Sequence, residues 1–129
     1  MRDTALIAIV DDDEMVSAAT GGLIETFGLA TRTFASAEAF LDSDCVAQTS
    51  CLVTDVQMPG INGLQLHRKL TNSGHRIPVI FITAYPDELL RRRAQKAGAI
   101  CYLIKPFDPP VLFNCIRSAI GPWVGGPDA

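Results

Sequence analysis

The sequence has no long hydrophobic run. Its apolar stretches, of which Ala5–Val10 is typical, are far shorter than the roughly 20 residues that a membrane-spanning helix needs. The start of the chain, Met1–Thr4, does not have the pattern of a secretory signal. We therefore expect a cytoplasmic protein with no membrane partner.

The sequence also lacks a cysteine motif of known chemistry. Its four cysteines form no C-x-x-C pair, and no histidine lies near them at the spacing of a metal ligand. They are Cys45, Cys51, Cys101 and Cys115. We expect reduced, mostly buried thiols rather than a zinc or redox site.

An excess of basic residues is the third absence. Lysine and arginine number 11 against 14 aspartate and glutamate residues, which gives a formal net charge of -3. Binding to a nucleic-acid backbone requires a basic stripe that neutralises phosphates. Direct contact of this domain with a nucleic acid is therefore not expected.

What the sequence does contain is enough apolar material for one domain. The 129 residues are 48% hydrophobic and 19% charged, as is typical of a globular protein. We expect one folded domain over residues 1–120. Residues 121–129 are rich in glycine and proline and are expected to be a tail or linker stump.

Four apolar runs have the length and β-branched content of strands. They are Ala5–Val10, Cys51–Val56, Pro78–Thr83 and Ile100–Ile104. Because nearly every position in them is apolar, they suit a parallel sheet that helices cover on both faces. One more run, Leu29–Phe34, is the second in chain order. It alternates apolar and polar residues and is expected at the edge of the sheet.

Segments with helical spacing separate the strands. They are Asp13–Phe27, Ser36–Leu41, Gly63–Leu70, Asp87–Ala97 and Asp108–Ile120. The order is a strand followed by a helix, five times over. This order predicts an α/β fold, a three-layer sandwich around a five-stranded parallel sheet.

Charged and hydroxyl residues stand at the carboxyl ends of the predicted strands. Asp11 and Asp12 follow the first strand, and Asp55 lies near the end of the third. Thr83 ends the fourth strand, and Lys105 follows the fifth. Ligands of open α/β sheets bind beyond this edge, so we expect the five side chains to converge.

These residue types suit the acceptance of a phosphoryl group. Neighbouring carboxylates repel one another, and a divalent cation such as Mg2+, which prefers oxygen ligands, would relieve that repulsion. An aspartate beside a metal, a lysine and a hydroxyl combines a nucleophile with neutralising charge and a hydrogen-bond donor. The residues therefore predict a site where an aspartate accepts a phosphoryl group.

Four motifs in the chain resemble those of the CheY-like receiver family. They are Val10–Glu14 (VDDDE), Thr54–Gly60 (TDVQMPG), Ile82–Ala84 (ITA) and Lys105–Phe107 (KPF). The similarity covers residues 5–120, and the segment SAEAFL at 36–41 is similar to FixJ-type regulators, which carry a helix-turn-helix output domain. The resemblance implies a flavodoxin-like (βα)5 fold with strand order 2-1-3-4-5.

The resemblance also implies the phosphoacceptor and its metal. Asp55 is the phosphoacceptor of such a domain. Asp12 and Asp55 bind Mg2+ or Mn2+, while Asp11 holds a metal-bound water. The backbone carbonyl of Gln57 completes the protein ligands.

A second set of residues is implied to hold and report the phosphoryl group. Thr83 and Lys105 hold its oxygens, and Tyr102 turns inward when Thr83 moves toward it. The Lys105–Pro106 bond is expected to be cis, which is affordable only before proline. We further expect Gln57 and Tyr85 to tune dephosphorylation, with Tyr85 screening the attacking water.

The implied partner is a sensor histidine kinase, and the domain is not an enzyme beyond its own phosphorylation and slow dephosphorylation. The face of the fourth helix, fifth strand and fifth helix is expected to control a transcriptional output domain or a partner, or to form a homodimer on phosphorylation. Arg91–Arg93 either meet a partner's carboxylates there or are solvated. His67 and His75 are expected to be surface residues.

Three other functions share parts of this pattern. A phosphatase of the haloacid dehalogenase type needs a second aspartate where this chain has Gln57. A flavodoxin needs a Ser/Thr/Gly-rich phosphate loop after Val10, where this chain has acids. A degenerate receiver, a phosphorylation-independent interaction module, is the main alternative, and the presence of Asp55, Thr83 and Lys105 argues against it.

Overall fold

A five-stranded parallel sheet organises the chain in the computed structural model, which describes residues 5–121. The strands are β1 (Leu6–Val10), β2 (Ala30–Phe34), β3 (Thr49–Asp55), β4 (Val79–Thr83) and β5 (Cys101–Ile104). Their order in the sheet is β2-β1-β3-β4-β5, with every neighbouring pair parallel. The predicted fold class and strand order are confirmed.

Five α-helices connect the strands and cover both faces of the sheet. They are α1 (Glu14–Thr26), α2 (Ala37–Leu41), α3 (Gly63–Asn72), α4 (Glu88–Lys96) and α5 (Pro109–Ile120). Every predicted strand and helix is present, with ends that differ from the prediction by at most two residues. A short 3-10 helix before β3, Val46–Gln48, has no counterpart in the prediction.

The core consists of two layers, one on each face of the sheet. Successive side chains of a strand point to opposite faces, so Ile7 and Ile9 of β1 pack into one layer while Ala8 and Val10 pack into the other. Helices α1 and α5 cover the first layer, and α2, α3 and α4 cover the second. Burial of each large apolar side chain contributes about 1.5–3 kcal/mol.

Polar side chains begin two of the helices close to the carboxyl edge of the sheet. Asp13 Oδ1 accepts hydrogen bonds from the backbone N–H groups of Met15 and Val16, at 3.0 and 3.2 Å. Asn62 Oδ1 accepts one from Gln65 N at 2.8 Å, and the Gln65 side chain accepts one from Asn62 N at 2.9 Å. Such caps stabilise a helix by about 1 kcal/mol and hold its first turn in place.

The cysteines differ from the sequence expectation. Cys101 of β5 and Cys115 of α5 form a disulfide, with their Cα atoms 6.2 Å apart, so the expectation of reduced thiols is wrong for this pair. The two cysteines come together because α5 runs back along the sheet. Their spacing in the sequence does not indicate this contact. Cys45 and Cys51 are free and buried, and burial raises the pKa of Cys51 to about 12.

One histidine is less exposed than expected. His67 lies half-buried on α3, and its ring meets that of Phe81 edge to face at 6.1 Å. Burial lowers the pKa of His67, so its ring is neutral at pH 7.

The chain ends bear on two further expectations. Of the predicted tail, 121–129, only Gly121 belongs to the described residues, so the domain boundary stays a prediction. Within residues 5–121, no helix has both the length and the apolar character needed to cross a membrane.

Candidate functional site

The strand register brings the predicted site residues to one edge of the sheet. Val10 pairs with Thr54, so Asp11 lies beside Asp55 at the carboxyl ends of β1 and β3. Thr83 pairs with Ile104, which places Lys105 next to the end of β4. The Lys105 backbone N–H donates to the Thr83 carbonyl at 2.8 Å and extends this alignment past the last strand.

Three carboxylates cluster at this edge. One ligand atom each from Asp11, Asp12 and Asp55 lies within 4.8 Å of the others. Asp11 is 5% exposed, whereas Asp12 is open to solvent. This group could hold a cation that prefers oxygen ligands.

A single lysine faces two of the three carboxylates. Lys105 Nζ lies 3.2 Å from Asp11 Oδ2 and 3.4 Å from Asp55 Oδ2. The lysine side chain is only 20% exposed, so its attraction to both carboxylates is less screened than at the surface. The Lys105–Pro106 peptide bond is cis. One positive charge against three carboxylates leaves the site electrically unbalanced.

Backbone hydrogen bonds orient the two carboxylates that face Lys105. Asp11 Oδ1 accepts from Asp13 N at 2.9 Å, and Asp55 Oδ1 accepts from Gln57 N at 2.9 Å. Each carboxylate therefore has one oxygen fixed by the chain that follows it and the other turned toward the lysine. The Gln57 N–H thus orients Asp55, a contact that the sequence pattern did not indicate.

The environment of Asp55 shifts the pKa of its carboxyl group. Burial raises the pKa of Asp55, and the negative charge of Asp11 acts in the same direction. The Gln57 hydrogen bond and the positive charge of Lys105 oppose this but do not reverse it. A carboxylate nucleophile has to be ionised, so additional positive charge in the site would favour its reactive form.

Thr83 is fully buried at the end of β4, and its hydroxyl is tied to the loop that follows. The hydroxyl donates to the Tyr85 carbonyl at 3.2 Å and accepts from the Tyr85 N–H at 3.0 Å. The Tyr85 side chain itself is 72% exposed. To donate to a group on Asp55, the Thr83 hydroxyl would have to give up its hydrogen bond to the Tyr85 carbonyl.

Tyr102 on β5 holds a polar group in an apolar setting. Its ring packs against the layer of the core that includes Phe81 and Leu90, and its hydroxyl is buried. Within residues 5–121 that hydroxyl makes no hydrogen bond of normal geometry, although the Asp87 backbone is close enough to lower its pKa against the larger effect of burial. Burial raises the pKa of Tyr102. An unpaired buried hydroxyl costs about 1–3 kcal/mol, so this position of the side chain carries a penalty.

Sequence reasoning missed Gly63, the first residue of α3. A Cβ atom there would lie 2.5 Å from the Asp55 carbonyl oxygen and 3.1 Å from Val56 Cα. The Gly63 N–H donates to the Val56 carbonyl at 2.9 Å. Only glycine permits this close approach, which fixes α3 against the strand that carries Asp55. In the sequence it is one of ten glycines and carries no separate signal.

Comparison with known proteins decides the family. The family model described as "Response regulator receiver domain" matches residues 7–117 of this chain. The chain belongs to the response regulator receiver family. It is thus a receiver domain of the two-component type, a class of domain that interacts with sensor kinases.

Full-length relatives and solved structures agree with this assignment. The chain is 41% identical over 116 residues to the response regulator protein TmoT of Ectopseudomonas mendocina, covering 90% of this chain and 53% of that protein. It is 38% identical over 121 residues to the transcriptional regulatory protein FixJ of Azorhizobium caulinodans, covering 94% and 57%. The chain therefore spans about half the length of these curated relatives.

Among solved structures, the chain resembles FixJ-N, with a TM-score of 0.83 and 35% identity. The match covers 97% of this chain and 99% of FixJ-N. It also resembles the response regulator StyR, with a TM-score of 0.84 and 37% identity, covering 92% and 60%. The similarity to FixJ expected from the sequence is confirmed.

Proposed function

We propose that this receiver accepts a phosphoryl group on Asp55 from a sensor histidine kinase and acts as a phosphorylation switch. The observation that carries the proposal is the placement of Lys105 Nζ between Asp11 and Asp55, next to the end of β4. Two carboxylates and a lysine meet there, and Thr83 ends the neighbouring strand, at the edge where α/β sheets bind ligands. Membership in the receiver family supports the same function.

The residues of the site suit transfer from a phosphohistidine. The ionised Asp55 attacks the phosphorus in line, an O–P bond forms, and the N–P bond to the kinase histidine breaks. Gln57 N fixes one oxygen of Asp55 during this step. Lys105 Nζ lies close enough to Asp55 to offset negative charge first on the carboxylate and then on the transferred group.

The carboxylate cluster fits a divalent cation. Asp11, Asp12 and Asp55, with the backbone carbonyl of Gln57, would hold Mg2+ or Mn2+, Asp11 acting through a bound water. When bound, the ion supplies positive charge that offsets the repulsion among the carboxylates and the charge of the phosphoryl oxygens. The cluster is the feature that supports this, since Lys105 alone does not balance it.

The switch would begin with Thr83 and Lys105. A phosphoryl group on Asp55 offers new acceptors to the Thr83 hydroxyl, which would leave Tyr85, and to the Lys105 ammonium. Hydrogen bonds to charged groups contribute about 1.5–3 kcal/mol each, so two of them approach the roughly 5.5 kcal/mol that moves a population from 1:99 to 99:1. The movement would be accommodated by Tyr102 and passed to the α4-β5-α5 face.

The wider setting is part of the same proposal. The relative from A. caulinodans is named a transcriptional regulatory protein and is nearly twice as long as the matched part. Residues 1–120 would accordingly control a DNA-binding output domain through the linker 121–129. A homodimer through α4-β5-α5 on phosphorylation and a cytoplasmic location complete the proposal.

Intact-protein mass spectrometry after incubation with acetyl phosphate tests the proposal. We expect a phosphoryl adduct on the wild type with Mg2+, none without Mg2+, and none on Asp55→Asn. Asp108→Asn, which removes an exposed acid outside the site, is the matched control and should keep the adduct. If neither the wild type nor the control forms an adduct, the domain is a phosphorylation-independent interaction module instead.

A further inference from the structure

Charge is divided sharply along this chain. Residues 60–105 contain eight of the 11 basic residues and only two of the 14 acidic ones. Residues 1–59 contain ten acidic residues and two basic ones. The net charge of -3 therefore conceals a strongly basic segment that includes α3 and α4. Such asymmetry points to an anionic partner for the basic part.

A groove between α3 and α4 concentrates part of this charge. It has a volume of about 600 Å3, within the range of roughly 300–1,000 Å3 that small-molecule sites occupy. Arg68 of α3 and Arg93 and Lys96 of α4 line it. No acidic side chain is among the described residues that line the groove.

The groove cations differ from the other arginines of α4. Arg91 and Arg92 both pair with Glu88, whose single negative charge offsets part of theirs. Arg68, Arg93 and Lys96 form no ion pair with an acidic side chain in the part of the chain that the structure describes. Like charges gathered around one groove repel one another, and an anion bound between them would relieve that repulsion.

The rest of the lining has two kinds of surface. Gln65 and Asn72 add amide groups that can donate hydrogen bonds along the α3 side. Leu64 and Leu90 are partly buried and, with the half-buried ring of His67, provide an apolar floor. Arginine forks match the paired oxygens of phosphate, while such a floor suits a flat ring.

We propose that the α3–α4 groove binds a small phosphorylated molecule that carries an aromatic ring, with Arg68 and Arg93 on its phosphates. The site is separate from the carboxylate cluster, because the residues of the two sets do not overlap. A small ligand fits better than a nucleic acid because the unpaired cations surround one bounded groove instead of following an extended track. A ligand that bridges α3 and α4 would bind the same α4 that belongs to the proposed output face.

Calorimetric titration with ADP, chosen as the probe, tests the proposal. EDTA in the buffer keeps metal from the carboxylate cluster, so the result does not depend on phosphorylation of Asp55. We expect ADP to bind at one site and to bind more tightly than AMP. Arg68→Gln and Arg93→Gln should each weaken ADP binding about tenfold, the effect of losing one charged hydrogen bond. Arg32→Gln, the same change on β2 at the far edge of the sheet, should have no effect.

Four outcomes would overturn the proposal. The first is no ADP binding at millimolar concentration, and the second is equal binding by the wild type and both groove variants. The third is loss of binding in Lys105→Gln but not in the groove variants. The fourth is displacement of ADP by a single-stranded oligonucleotide at a concentration lower than that of ADP. The third would assign the anion to the Asp55 site, and the fourth to a nucleic acid. Circular dichroism melts of each variant check that it is folded.

Discussion

The carboxyl edge of the sheet and the α3–α4 groove each contain a cluster of charges of mainly one sign, but the charged side chains are held in place to different degrees. At the edge, the buried Asp11 and the half-buried Asp55 each receive a backbone hydrogen bond and share one lysine. In the groove, Arg68 and Arg93 have neither a hydrogen-bonded carboxylate nor a buried setting. The edge is thus held in one arrangement by the chain itself, whereas the groove cations are free to rearrange around a ligand.

This difference follows from the elements that carry the charges. Residues at strand ends are fixed by the register of a parallel sheet, so their spacing is set to within a residue. Long side chains on exposed helix faces keep most of their rotamer freedom. The edge is therefore suited to chemistry that needs fixed geometry, and the groove to binding that tolerates adjustment. Substitutions at the edge and in the residues that support it test how far this contrast holds.

Replacing Lys105 by Gln should have the largest effect at the edge. It removes the one cation between Asp11 and Asp55, and loss of a single charged donor from such a site typically slows the chemical step by about 100-fold. The rate of phosphorylation by acetyl phosphate measures this. Lys69→Gln, which removes an equal charge from an exposed position on α3, should leave the rate within twofold. Equal rates for both variants would show that Lys105 has no such role.

Gly63→Ala should disturb the packing of α3 against the strand that carries Asp55. Its Cβ would lie 2.5 Å from the Asp55 carbonyl oxygen, and overpacking of this kind costs about 1–3 kcal/mol of unfolding free energy. Gly22→Ala in α1 is the control, because its Cβ would meet nothing within 4 Å. Alanine there should raise stability by about 0.5–1 kcal/mol. Urea denaturation of both variants gives the comparison, and equal shifts in the same direction would contradict it.

The fold was predictable because its signals are local. Strands apolar at nearly every position, such as Val79–Thr83, indicate a sheet covered on both faces, and the alternation in Ala30–Phe34 marks an edge. Strand-end residues could be recognised for the same reason, since parallel strands bring their carboxyl ends together. Asp11, Asp55 and Lys105 accordingly lie where the sequence predicts.

Other features depend on contacts between distant segments and gave no usable signal. The Cys101–Cys115 disulfide exists because α5 returns along β5, and the two cysteines are 14 residues apart with no recognised motif. The basic groove arises from residues on two helices, and the net charge of the chain hides it. The approach of Gly63 to Asp55 depends on backbone geometry that composition does not record.

The protonation of Asp55 gives a third test of the edge. Because folding raises its pKa above the ordinary value of 3.8, the ionised group destabilises the folded state at neutral pH. Asp55→Asn should therefore be more stable than the wild type at pH 7 in EDTA. The gain should shrink as pH falls through the raised pKa and vanish below the unfolded value. Urea denaturation of both proteins across this range measures it, and a gain that grows toward acid would reverse the assignment.

Tyr102→Phe should have a smaller effect of opposite sign to Gly63→Ala. It removes a buried hydroxyl that makes no hydrogen bond of normal geometry within residues 5–121, and should raise the unfolding free energy by about 1 kcal/mol. Tyr85→Phe, which removes an exposed hydroxyl, is the matched control and should change stability by less than about 0.5 kcal/mol. If Tyr102→Phe were destabilising, its hydroxyl would have to be paired in solution.

The smallest effect is expected on the dephosphorylation rate of Tyr85 variants. Tyr85 combines a backbone held by hydrogen bonds with a side chain that is free in solvent. Its backbone holds the Thr83 hydroxyl through two hydrogen bonds, but its ring is 72% exposed. If the ring screens the phosphorylated Asp55 from water, Tyr85→Ala should speed dephosphorylation, and Tyr85→Phe should not. Decay of the phosphoryl adduct after removal of acetyl phosphate measures both rates. Equal decay in Tyr85→Ala and the wild type would leave Tyr85 with only its backbone role, because alanine keeps both hydrogen bonds to Thr83.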